Sequence, residues 1–226
     1  MLHLWLLLAA DATAPTIKAE RDYSALAQTA GQWTAFRATA ADDSLMFVPE
    51  PVAARAWLKD RPDPAISVIW WPGRVWMSCD GKLGINYGPW LRKGGRTGTF
   101  TTVWEKTSDG AWKWKLDRGS TTPRAVGAGD APKVTRASCA HLDHASDPAP
   151  DAAPDVDPLF VMEGQMPSSQ LAAMPAQGEI IRSGRSPDKS LRWEVRKGAG
   201  ESTGSHILRA WRWDGARYRL FALQVS

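Results

Sequence analysis

From Phe100 onward, hydrophobic and polar positions alternate with a period of two: Phe100, Thr102 and Trp104 point one way, and Thr99, Thr101, Val103 and Glu105 the other. Such alternation, rich in β-branched and aromatic residues, predicts a strand. Ser108-Asp109-Gly110-Ala111 supplies residues that tolerate positive φ. The pattern then resumes with Trp112, Trp114 and Leu116 against Lys113, Lys115 and Asp117. The unit reads as an antiparallel hairpin with one apolar and one wet face. Upstream, residues 66–71, 74–79 and 82–87 are separated by Pro72-Gly73 and Asp80-Gly81, turn signals of the same kind. These strands form a meander whose Trp-rich face needs a cover.

The cover precedes it. After Pro15-Thr16, with Thr16 as N-cap and Glu20 and Asp22 near the positive end of the helix dipole, Tyr23, Leu26, Ala27, Ala30, Trp33 and Phe36 recur at three- and four-residue steps. That predicts one buried stripe on a helix of about 20 residues. Gly31 falls inside it and lowers its propensity. Ala41-Asp42-Asp43 ends the helix, residues 44–48 read as a short strand, and Pro51 opens a short helix over 52–59.

Beyond Gly119 the pattern fades, and residues 145–158 form a Pro/Ala/Asp tract that reads as an extended, disordered linker. Alternation returns at Leu191, Trp193 and Val195, and again where residues 207–213 turn at Asp214-Gly215 into 218–223. The expected division is a leader over 1–14, a domain over 15–120, a loop and linker over 121–158 and a small β-rich extension over 159–226. With so few bulky apolar groups, the extension needs the first domain to pack against.

Composition narrows the partners. A formal charge of +4 comes from scattered Lys and Arg without a basic run, which speaks for a solvated surface rather than nucleic-acid binding. The apolar run Met1–Ala10 is too short to span a bilayer, which takes about 20 residues. With small residues at Ala10, Ala12 and Ala14 it reads as a secretory signal, giving a periplasmic or secreted protein without a transmembrane segment. The missing basic n-region leaves open an N-terminal cluster that packs on the fold. Cys79 and Cys139 follow from the same reading: in an oxidising compartment an even count pairs, closing a loop of about 60 residues worth about 4 kcal/mol. The alternative is two buried thiols.

A long helix, short strand, short helix and antiparallel meander, carried by Trp33-Thr-Ala-Phe36 with residues 41–47, by residues 78–90, and by Gly98–Trp104 with Asp109-Gly110-Ala-Trp112, resembles the nuclear transport factor 2-like superfamily of SnoaL-like and ketosteroid-isomerase-like proteins. Its uncharacterised, exported bacterial members are the most similar in kind. The resemblance covers about residues 17–119 and implies an α+β, cone-shaped fold, with a long N-terminal helix on a curved antiparallel sheet, an internal pocket and a homodimer. The C-terminal extension lies outside that pattern.

Enzymes of the superfamily place a carboxylate base in the apolar pocket, where burial raises its pKa. Asp42 and Asp43, where helix meets strand, are the weak candidates; helix-end and turn capping is the plainer role. No His lies between His3 and His141, so a His/Asp pair inside the cone is absent. Cys139-Ala-His141-Leu-Asp-His144 has metal-like residues but no clear fourth ligand, and Gly94-Gly95-Arg-Thr-Gly98 lacks the Lys and Ser/Thr of a phosphate loop. No cofactor or metal is expected.

What remains is 13 Trp residues. Most are core, and Trp33, Phe36, Phe47, Trp70, Trp90 and Trp104 form the expected ligand pocket, suited to a small apolar molecule. Non-catalytic binding is the leading expectation. A small lyase or isomerase, or an interaction module of the cell envelope, are its rivals.

Overall fold

A computed structural model describes residues 14–121, 131–146, 153–162, 178–198 and 205–225. The expected leader falls on residues outside these, apart from Ala14. In chain order the elements are α1 (Pro15–Ala30), α2 (Gln32–Thr39), β1 (Ala40–Phe47), β2 (Pro51–Ala53), α3 (Ala54–Leu58), β3 (Ile69–Trp70), β4 (Arg74–Met77), β5 (Leu83–Leu91), β6 (Thr97–Lys106), β7 (Trp112–Thr121), β8 (Lys133–Arg136), β9 (Pro154–Met162), β10 (Ile180–Arg185), β11 (Leu191–Lys197), β12 (His206–Trp213) and β13 (Tyr218–Val225). The α+β class holds.

The single long helix does not. Gly31 takes φ 108°, ψ 149° and splits it into α1 and α2. A Cβ there would lie 2.3 Å from the Asp63 carboxyl carbon, so only glycine fits. Asp63 then caps α2 from a distant loop, accepting the Thr34 backbone N–H at 2.9 Å and its hydroxyl at 2.6 Å. Thr16, expected as N-cap, instead points its hydroxyl at Met77 Sδ, 3.4 Å away, while Ala14 takes the cap position.

The meander β4–β7 is antiparallel and in the expected order. β1 and β8 join it by parallel pairings, to β7 and β4. Inside β7 the two-residue period breaks. Val103 pairs Leu116 while Trp104 pairs Trp114, which leaves Lys115 as an extra residue. This bulge puts Trp114 on the helix side and Leu116 on the opposite face. Asp117, next in line, therefore turns from the expected wet face towards the helices.

The C-terminal region is more than hairpins on a linker. β10, β11, β12, β13 and β9 form a second sheet in that order, with β9 parallel to β13. Residues 154–158, expected to be linker, lie in β9. The second sheet covers the face of the first sheet opposite the helices. Trp76, Ile85, Val103 and Leu116 share a core with Trp193, Val195, Leu208 and Phe221, and Trp76 stacks on Phe221 at 4.6 Å. Polar groups cross the same seam, with Thr101 Oγ1 donating to Gln224 at 2.9 Å and Arg118 to the Gln224 carbonyl at 3.1 Å. The architecture is thus three layers, helices on sheet on sheet. Cys79 and Cys139 are disulfide-bonded, tying the β4–β5 turn to the segment after β8.

Candidate functional site

The helices and the first sheet enclose a second core of Tyr23, Phe36, Trp70, Phe100, Trp104 and Trp114. Tyr23 is its hub, with ring centroids 4.9 Å from Phe36, 4.8 Å from Trp70 and 5.7 Å from Trp104. These contacts, tilted with Phe36 and edge-to-face with Trp70 and Trp104, fill one end of the cone. At the other end a cavity of about 410 Å³ stays open. Of the residues expected to line it, Trp33, Phe36, Phe47, Trp70 and Trp90 do. Trp104 does not: it is 1% exposed and lies deeper, beside a separate recess between α1 and the β6–β7 turn.

One carboxyl group, Asp117, lines this cavity, and a second, Glu20, lies buried behind Trp70. Glu20 is completely buried on the inner stripe of α1, with Thr16, Ile17, Tyr23 and Ala27. It accepts the Trp70 indole N–H at 2.8 Å on Oε1, and the Trp104 indole N–H at 2.6 Å and the Asn86 amide at 3.0 Å on Oε2. Burial raises its pKa to about 7, against the pull of those donors. Asp117 keeps part of its surface open and lines the cavity. Burial first, and the charge of Glu20 second, push its pKa up to about 8. Thr102 Oγ1 stands between them, 3.4 Å from Glu20 Oε1 and 3.3 Å from Asp117 Oδ2.

One hydroxyl has one proton, so Thr102 donates to only one of the two carboxyl groups at a time. Glu20, fed by three N–H donors, is the better home for the negative charge. Asp117 is the member that holds a proton, and the pair titrates as a unit. Tyr23 Oη is buried without a hydrogen-bond partner, and burial together with both carboxylates drives its pKa far up, so it stays a neutral phenol. The signal for Glu20 lay in the helical stripe, three residues before Tyr23. Asp117 had none, because the bulge at Lys115 inverts the alternation.

Asp42 and Asp43 are elsewhere. The Asp42 side chain is 97% exposed and pairs with Arg55 at 3.0 Å. Asp43 meets Lys115 at 2.5 Å and Arg182 at 3.6 Å. The Lys115 hydrogen bond, chiefly, holds its carboxyl below the usual range. Neither lines the cavity. Cys139 is committed to the disulfide, and His141, Asp143 and His144 cluster on an exposed turn with ligand atoms within 4.8 Å.

No protein-family profile and no curated protein matches the chain. Among solved structures, the chain is similar to an NTF-2-like protein of unknown function from Shewanella oneidensis MR-1, at 20% identity and TM-score 0.38 over 47% of this chain and 98% of that one. A protein of unknown function from the DUF3225 family, from Pectobacterium atrosepticum SCRI1043, matches at 14% identity and TM-score 0.39 over 48% and 90%. Hexachlorocyclohexane dehydrochlorinase LinA-type3 from Novosphingobium barchaimii LL02 matches at 14% identity and TM-score 0.33 over 52% and 94%.

Proposed function

We propose that the cone cavity binds a small, largely apolar molecule through an oxygen that accepts a hydrogen bond from the protonated Asp117. One observation carries this reading. Among the described residues Asp117 is the only carboxyl lining the cavity, it faces an aromatic wall, and its pKa is pushed up to about 8. A neutral acid in an apolar cavity is a hydrogen-bond donor without the cost of a buried charge, and a ligand carbonyl is its natural partner. Trp33, Phe36, Trp70 and Phe100 offer ring faces and edges to a flat apolar body. Glu20 is sealed behind Trp70 and stays out of reach.

A thermal-shift and tryptophan-fluorescence screen of small cyclic ketones and lactones tests it. Binders are expected to stabilise the wild type, and Asp117→Ala to weaken them about tenfold, the loss of one well-placed hydrogen bond. A screen in which nothing binds by either readout overturns the reading.

The Thr102 bridge favours a second reading, as an isomerase or lyase. Ionised Asp117 would take a proton from a carbon next to the ligand carbonyl, and the bond's electron pair would pass to the carbonyl oxygen. Wash-in of deuterium at that carbon by the wild type, abolished in Asp117→Asn, checks it. Unchanged exchange in the variant would leave binding alone.

A further inference from the structure

We infer that the ligand of this cavity is an amphipathic acid, its anionic group held at the mouth by Arg92 and Arg96 while its apolar body enters the cone. This rests on the pocket reading above and adds to it the chemical class of ligand. The two arginines bracket the turn between β5 and β6, whose ends are closed by the Arg92 backbone N–H donating to the Arg96 carbonyl at 2.8 Å. Gly94 and Gly95, with φ of 88° and 79°, give the turn its tight reversal. That closure sets the two residues side by side at the end of the β5–β6 hairpin, where both line the cavity. The Arg92 guanidinium carbon lies 5.8 Å from the centre of the Trp90 ring, which leans it over the aromatic wall.

Charge complementarity selects the occupant. Other arginines of the chain pair with acids: Arg37 with Asp63, Arg55 with Asp42, Arg74 with Asp157, Arg212 with Asp155 and Arg219 with Asp214. Among the described residues neither Arg92 nor Arg96 has such a partner. The one carboxyl that lines the cavity among the described residues, Asp117, is held neutral by its surroundings and does not offset them. The lining therefore presents two cations above an apolar chamber with a hydrogen-bond donor at its floor. A carboxylate or sulfonate on a ring system that carries a carbonyl at its far end satisfies all three, because a guanidinium meets a planar carboxylate with two parallel N–H donors and the carbonyl accepts from Asp117.

Isothermal titration with 6-acetyl-2-naphthoate and with its neutral amide, 6-acetyl-2-naphthamide, separates this inference from the reading beneath it. At low salt the wild type is expected to bind the acid about tenfold more tightly than the amide, the sum of two partly exposed charge contacts. Raising the salt should shrink that preference. The Arg92→Gln/Arg96→Gln double variant should lose the preference and keep its affinity for the amide and its melting temperature. Equal affinity of the wild type for acid and amide, or a preference that survives in the double variant, overturns the inference and leaves the pocket reading standing. Failure of both compounds to bind overturns both.

Discussion

Asp117 and Glu20 share one hydroxyl, Thr102 Oγ1, at 3.3 Å and 3.4 Å. Both carboxyl groups bind their proton more tightly in the folded chain than in the unfolded one. The linked stability is complete below the ordinary carboxylate pKa, near pH 4, and is lost as pH rises through about 7 for Glu20 and about 8 for Asp117. Asp117→Asn removes the second titration while keeping shape and neutrality. The variant and the wild type should melt alike near pH 4, with the variant ahead by about 10 °C near pH 8. A differential-scanning series across that range in which the two curves stay parallel would sink the assignment.

Glu20→Gln acts differently, because the Glu20 oxygens face donors on both sides. The new amide N–H₂ must confront either the Trp70 indole N–H or the pair from Trp104 and Asn86. One buried donor is left opposing another, at a cost of about 1–3 kcal/mol. Loss of the Glu20 charge also lowers the Asp117 pKa, though burial, the larger cause, keeps it above the usual range. Chemical denaturation gives the first quantity and carbon-13 NMR of the Asp117 carboxyl the second. A Glu20→Gln variant as stable as the wild type would mean the indole contacts are not made in solution.

These two carboxyl groups also mark where the sequence was hard to read. The aromatic positions of the cavity were legible because Trp33 and Phe36 lie on a helical stripe and Phe100 on a clean alternation, both local patterns. Asp117 was not, since a single extra residue, Lys115, inverts the face of everything after it and leaves no mark in composition. Glu20 has the look of an acid at a helix start, although the stripe through Tyr23 and Ala27 places it inward. The strands β11 to β13 alternate and were visible. Their partner β9 was hidden, because a parallel pairing to a distant strand needs no turn signal, and Pro154, Asp155 and Pro158 suggest a loop. The break at Gly31 depends on Asp63, a residue about thirty positions away, and no window on the helix contains it.

The disulfide closes a loop with a sequence separation of 60, and its worth follows from that length. Removing it in Cys79→Ser/Cys139→Ser returns conformational freedom to the unfolded chain, at a cost of about 4 kcal/mol, or about 10 °C in melting temperature. The fold of the reduced chain should survive. The turn at Cys79 is also held by Ser190 Oγ, which accepts its backbone N–H at 2.8 Å, and by Asp188, which accepts that of Asp80 at 2.7 Å. Circular dichroism of the double variant should therefore match the wild type below its melt. A loss under about 1 kcal/mol would show that the unfolded chain keeps this loop closed without the bond.

Phe221 tests whether the two sheets fold as one unit. It is fully buried between them, stacked 22° from parallel on Trp76, and belongs to the same core as Leu45, Val103 and Leu116 from the first sheet. Phe221→Ala opens a cavity at the centre of that seam, at a cost of about 3–5 kcal/mol. If the second sheet were an independent appendage, the first sheet and the aromatic core beneath α1 would be indifferent to the loss. With a shared core, both must fall together. The expected result is a single transition shifted down by about 10 °C, coincident by far-UV circular dichroism and by tryptophan fluorescence. Two separated transitions, with only one displaced, would show that the C-terminal sheet docks on the first without being needed by it.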